Sequence, residues 1–170
     1  MSIFPTTVLL AIDGSTEASL ATEAAVEIAI KTRSDLHLVY VSSDPALTSL
    51  YMGATLEGAP SLYMGETLGG VPDLEGELET ARRVAQGVLD TAVRKVRSLG
   101  GSVAQAHLME GRAPKEIVSL AEDSGIGLIV MGSRGRGGVS RTLMGSVSDS
   151  VVRHAHCPVL VVRAYQEGHA

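Results

Sequence analysis

The chain has 170 residues, enough for one well-packed domain and too few for two of ordinary size. Hydrophobic residues make up 45% and charged residues 19%, a globular balance that excludes a largely disordered chain. A net charge of −5 gives no general positive field for a nucleic-acid backbone, and four tyrosines, one phenylalanine and no tryptophan are too few for a base-stacking platform.

Short β-branched runs alternate with longer segments of helical period, the pattern of a parallel sheet covered by helices on both faces. The first strand is expected over 8–12. The N-terminal stretch lacks a basic leader, and its apolar run is far below the ~18 residues of a membrane span. Asp13-Gly14 reads as a turn, Ser15 or Thr16 as a helix cap, and Glu17 sits favourably in the first turn. The first helix runs to about residue 33, with Ala21, Ala25, Ile28 and Ala29 on its inner face and Glu23, Glu27 and Lys31 on another.

The second strand is expected over 36–41. Residues 43–72 are poor in charge and rich in Gly, Pro and Ser, and longer than the ~12–15 residues at which structureless loops become uncommon. Within them SLYMGATLEGAP at 49–60 is followed directly by SLYMGETLGGVP at 61–72. Two copies are too few for a solenoid. The insertion is expected to be a flexible connection, or a lid or partner-binding arm with Tyr51, Met52, Tyr63 and Met64 as its adhesive groups.

Asp73 is the expected cap of a long second helix whose inner stripe is Leu78, Ala81, Ala85, Val88, Ala92, Val96 and Leu99, stopped by Gly100-Gly101. The third strand, about 103–109, alternates Ala104, Ala106 and Leu108 with Gln105 and His107, which suggests one less-buried face and an edge position. Pro114 suits the first turn of a third helix that carries Ile117, Val118 and Ala121 inward. The fourth strand is expected over 128–131, the fourth helix over about 146–155 and the fifth strand over 159–162. Five strands with crossover helices make one doubly wound α/β domain over 1–170, whose ligand crevice lies beyond the carboxyl ends of the strands where strand order reverses.

The stretch from Gly132 to Ser148 leaves the fourth strand and ends in a helix start. Gly132, Gly135, Gly137 and Gly138 expose backbone N–H groups, and the helix start adds its own unpaired donors and positive dipole end. Ser146 and Ser148 carry hydroxyls that can donate to phosphate oxygens. Arg134, Arg136 and Arg141, with no acid between Gly132 and Gly145, make this segment cationic on an acidic protein. A polyphosphate suits both features. The stretch has no lysine, so it is not a P-loop, and no third glycine follows Gly135 and Gly137 at dinucleotide-fold spacing.

The pattern Gly132-x2-Gly135-x9-Gly145-Ser146 resembles the nucleotide-binding signature of the universal stress protein family, and the likeness extends to VLLAIDGS, LHLVYV and HCPVLVVR. It covers nearly the whole chain apart from 43–72. The resemblance implies a five-stranded parallel sheet of order 3-2-1-4-5 and, because the glycine signature is complete, ATP binding. By the same likeness, Asp13 and the backbone near Ala11, Ile12 and Val41 hold adenine and ribose, with Met131 packing nearby. Gly132, Arg134, Gly135, Gly145, Ser146, Val147 and Ser148 hold the ribose and triphosphate, with Mg2+ or Mn2+ bridging phosphate oxygens. The family also implies a homodimer through the strand-five edge, Val159, Leu160, Val161 and Val162. Asp13 has a separate case, as a carboxylate at the carboxyl end of the first strand.

No local motif supports a hydrolase triad or a zinc peptidase. His154 and His156 read as a helix-end dipole partner and a surface residue, Cys157 as a small apolar group, and His37 and His107 as strand residues without functional signal. A single cysteine fits a reducing compartment, so the cytoplasm is expected. Three functions remain open: an ATP-binding stress-response module, in which nucleotide orders the arginine-rich loop and changes what an unnamed downstream protein meets; a slow ATPase or phosphotransferase; or a binder of AMP or a cyclic nucleotide. Asp13 and Asp149 are the only acids placed near the loop, so little chemistry is expected.

Overall fold

The computed structural model describes residues 6–42, 74–135 and 144–164. The repeat-bearing insertion, the cap expected at Asp73 and the loop interior at 136–143 lie outside the described residues. The elements are β1 (Thr7–Ile12), α1 (Thr16–Thr32), β2 (Asp35–Ser42), α2 (Leu74–Ser98), β3 (Gln105–Glu110), α3 (Ala113–Asp123), β4 (Leu128–Gly132), α4 (Ser146–His154) and β5 (Val159–Val162). The sheet is parallel, with order β3-β2-β1-β4-β5. Strand order therefore reverses between β1 and β4, and the cleft expected of a doubly wound sheet opens there.

The central strand explains the layering. Val8 through Ile12 are all buried, because helices cover the sheet on both sides. Val8, Leu10 and Ile12 pack with the alanines of α1 and with Leu89 and Val96 of α2. Leu9 and Ala11 face the other way, onto Ile117 and Ala121 of α3 and Val151 of α4. The small side chains of Ala21, Ala25 and Ala29 bring α1 close to the sheet.

Local signals set the helix ends. Ser15 caps α1 by accepting the Ala18 N–H at 3.1 Å, and Arg33 closes it in the left-handed region at φ 55°. Gly100, at φ +82°, ends the turn after α2. Lys95 of α2 reaches back to α1, donating to the Ser19 carbonyl at 3.0 Å and to Glu23 Oε1 at 2.9 Å.

Three expectations need correction. β3 is at the sheet edge, but its burial changes along the strand: Gln105 and Ala106 are exposed, while His107, Leu108 and Met109 are half-buried. Only its carboxyl half is covered by packed neighbours. On α2, Leu89 is buried in the core whereas Leu99, past the helix end, is exposed. Leu99 lies three residues beyond Val96, the last buried position of the stripe, and one beyond the helix end, so it is no longer held against the core. Ile28 packs against the core only in part. Among the described residues no helix is long and apolar enough to cross a membrane.

Candidate functional site

A cleft of about 590 Å³ opens at the switch point between β1 and β4. Every residue assigned to a nucleotide site from the sequence lines it. Ala11, Ile12 and Asp13 come from the end of β1, Val41 from the end of β2, and Met131 and Gly132 from the end of β4. Arg134 and Gly135 begin the following loop, and Gly145, Ser146, Val147 and Ser148 close it into α4. Ala18 of α1, Val39, Tyr40 and Ser42 of β2, and Ala113 and Ile117 of α3 complete the wall and were not legible as site residues. They belong to it because parallel strands end together and α3 starts beside them, a three-dimensional coincidence with no local motif.

The glycines stand where side chains do not fit. A Cβ on Gly132 would lie 3.0 Å from Ala18 N and from the carbonyl carbon and Cβ of Glu17, because β4 ends against the first turn of α1. A Cβ on Gly145 would lie 3.1 Å from the Ser133 carbonyl oxygen. One on Gly135 would lie 2.5 Å from Asp13 Oδ2.

Between these glycines Ser133 acts as a pin, and it is only 1% exposed. Its N–H donates to the Val162 carbonyl at 2.8 Å, and its hydroxyl donates to Glu17 Oε2 at 2.6 Å. Its carbonyl accepts the Gly145 N–H at 2.7 Å and the Ser148 hydroxyl at 2.8 Å. One residue thus ties β5, α1 and both ends of the loop together. The sequence reading missed Ser133 and took Glu17 only as a favourable first-turn acid of the helix; a serine wedged between a strand-ending glycine and the loop was the available signal. Replacing Ser133 with Ala leaves the Glu17 carboxylate without this donor, and the expected loss is about 1–3 kcal/mol, read as a lower midpoint in urea unfolding. An unchanged midpoint would show that the pin carries no strain of the loop.

The Ser148 hydroxyl has backbone partners: the Ser133 carbonyl and, at 3.0 Å, the Gly145 carbonyl. Its one proton is therefore directed at the loop backbone, and its place in the wall is as an acceptor and through its main chain. The start of α4 differs. Gly145 occupies the N-cap position with no side chain to satisfy the first N–H groups, and Ser146 and Val147 stand in the cleft wall. Such a terminus presents backbone donors and the positive end of the helix dipole to an anion.

Asp13 Oδ1 accepts the Ser15 N–H at 2.9 Å, which turns the chain into α1 and fixes the carboxylate at the cleft mouth. The Ser15 hydroxyl also meets the Arg134 carbonyl at 3.4 Å. Asp149 is engaged along α4, where its two oxygens accept from Arg153 at 2.9 and 3.2 Å. That ion pair raises the already high Arg153 pKa, through the hydrogen bond first and the charge second. His154 Nδ1 lies 2.7 Å from the Ser150 carbonyl at the end of α4, as expected of a residue at a helix carboxyl end. Cys157 is half-buried against the α3 side of the core, and burial pushes its thiol up, which suits packing and not nucleophilic attack. Among the described residues no group of three or more His, Cys, Asp or Glu gathers as a metal site.

These features define a single-domain, doubly wound α/β protein with an open crevice at its topological switch point. The universal stress protein family model matches residues 5–163, and the chain belongs to that family. Universal stress protein YxiE of Bacillus subtilis is 31% identical over 155 residues, covering 91% of this chain and 97% of its own. Among solved structures, universal stress protein UspA from Lactobacillus plantarum superposes with a TM-score of 0.71 at 25% identity, covering 95% of this chain and 100% of that one. A universal stress protein in complex with cAMP gives 0.63 at 20% identity, and that of Archaeoglobus fulgidus in complex with dAMP gives 0.60 at 21%; each match covers 95% of this chain and 99% of the other.

Proposed function

We propose that this chain is an ATP-binding universal stress protein, a module whose nucleotide occupancy alters what it presents to a partner in a stress response. The observation that carries the proposal is the convergence of the whole expected site on one cleft, with the glycine-capped start of α4 at one end and Asp13 at the other. Adenine and ribose sit against Ala11, Ile12, Val41 and Met131, with Asp13 facing the ribose, and the phosphates run toward Gly135, Gly145 and Ser146. Fold neighbours in complex with cAMP and dAMP support an adenine nucleotide as the ligand class. The three arginines between Gly132 and Gly145 favour the triphosphate over a monophosphate, since each added phosphate brings negative charge to a cationic segment. Mg2+ or Mn2+ would be held chiefly by phosphate oxygens.

Catalysis has less support than binding. A slow ATPase or phosphotransferase needs a group that orients or deprotonates the nucleophile. Asp149 is tied to Arg153, and Asp13 already accepts the Ser15 N–H. The protein works as a homodimer in this reading. Among the described residues β5 pairs with β4 alone, and Leu160 is exposed on it, which supports pairing of its outer edge with a two-fold copy of itself.

Native mass spectrometry of the purified protein followed by denaturation tests the reading in one sample. A dimer mass carrying ATP is expected on release. ADP with phosphate would favour the enzyme, AMP or a cyclic nucleotide would move the ligand assignment to a monophosphate, and no nucleotide even after millimolar ATP is supplied would overturn the proposal.

A further inference from the structure

Away from the cleft, the parallel register brings two histidines together that the sequence leaves far apart. His37 lies near the start of β2 and His107 in the middle of the edge strand β3, where Val39 is the partner of His107. Both rings are half-buried, on the sheet face that carries Val39 and Met109. His107 Nε2 and His37 Nδ1 are 3.4 Å apart, with ring centroids at 5.5 Å and planes inclined by 32°. That separation is a long ring-to-ring hydrogen bond, whichever nitrogen carries the proton. It matches the span across a tetrahedral zinc ion: two nitrogens bound at about 2.0–2.1 Å with a tetrahedral angle between them stand about 3.3–3.4 Å apart. A right-angled pair of ligands would stand about 2.9 Å apart, so the spacing lies nearer the tetrahedral case.

We propose that His37 and His107 form a two-imidazole site for a tetrahedral divalent transition-metal ion, zinc being the occupant, which clamps the edge strand β3 to β2. Each strand contributes one ligand, and water completes the coordination. Burial, and then the neighbouring His37, hold the His107 pKa below the usual histidine range. Among the described residues β3 is paired on one side alone, and a strand so placed gains most from such a clamp.

The test is a calorimetric titration of ZnCl2 into the full-length chain without an affinity tag, at neutral pH in a buffer that does not chelate metals. One equivalent is expected to bind in the micromolar range and to raise the melting temperature. His37→Gln and His107→Gln should each weaken binding about ten-fold or more, since loss of even an outer-shell partner costs that much at many metal sites. The triple variant His154→Gln, His156→Gln, His169→Gln should leave it unchanged. Cobalt(II) loading should give the intense visible absorption of a four-coordinate ion. No zinc binding, binding retained in both single variants, loss in the triple variant, or the pale spectrum of a six-coordinate ion would each overturn the assignment. The cobalt spectrum is read on the unsubstituted protein and does not depend on any variant folding.

Discussion

Gly132→Val is expected to lower the melting temperature by about 6–12 °C. β4 ends where α1 begins, and a Cβ on Gly132 would meet Ala18 N and the Glu17 backbone and Cβ at 3.0 Å. Two of those contacts are main-chain atoms inside the first turn of a helix held by the Ser15 cap, so they cannot rotate out of the way. Overpacking a tight interior costs about 1–3 kcal/mol, and a branched residue against backbone belongs at the upper end or beyond. For a chain of this size each kcal/mol corresponds to about 2–4 °C. Gly132→Ala supplies the graded case, with a loss of about 1–2 kcal/mol. Calorimetric melting of the two variants beside the unsubstituted protein checks the order; a valine variant melting within about 1 °C would show that α1 and β4 do not press on each other as the geometry requires.

The fold was largely legible because its signals are local. β-branched runs, the Ser15 cap, Pro114 and Gly100 each act within a few residues, and β5 spans the expected 159–162. The cleft was legible for a related reason: the glycines that allow close approach also mark its rim in the sequence. What the sequence could not show depends on register between distant strands and on which helix stops first. Leu89 and Leu99 both fit a helical stripe, and only the end of the sheet decides which one is buried. Ser133 and Glu17 are 116 residues apart, and their hydrogen bond exists because β4 aims at the start of α1. His37 and His107, taken from the sequence as unremarkable strand residues, face each other only once β2 and β3 are aligned.

Gly135→Val is expected to raise the dissociation constant for ATP about ten-fold or more, a loss of about 1.4 kcal/mol, while leaving the fold intact. Gly135 is exposed, and the near contact for an added Cβ is Asp13 Oδ2 at 2.5 Å, with Asp13 Cγ at 3.7 Å. Either the carboxylate turns away, which strains its bond to the Ser15 N–H, or the loop exit moves outward from the cleft mouth. Both displace a wall of the proposed nucleotide site, yet neither touches the core, so the melting temperature should shift by no more than about 1–2 °C. Calorimetric titration with ATP reads the affinity, and an affinity within about two-fold of the unsubstituted protein would remove this end of the loop from the site. The cause is separable with Asp13→Ala. If valine acts by pushing the carboxylate, the double variant binds ATP no worse than Asp13→Ala alone, because the two residues are in contact and their effects cannot add. If instead valine bars the phosphates directly, the two losses sum, and Gly135 is the rim of the phosphate path and Asp13 a separate anchor for the ribose.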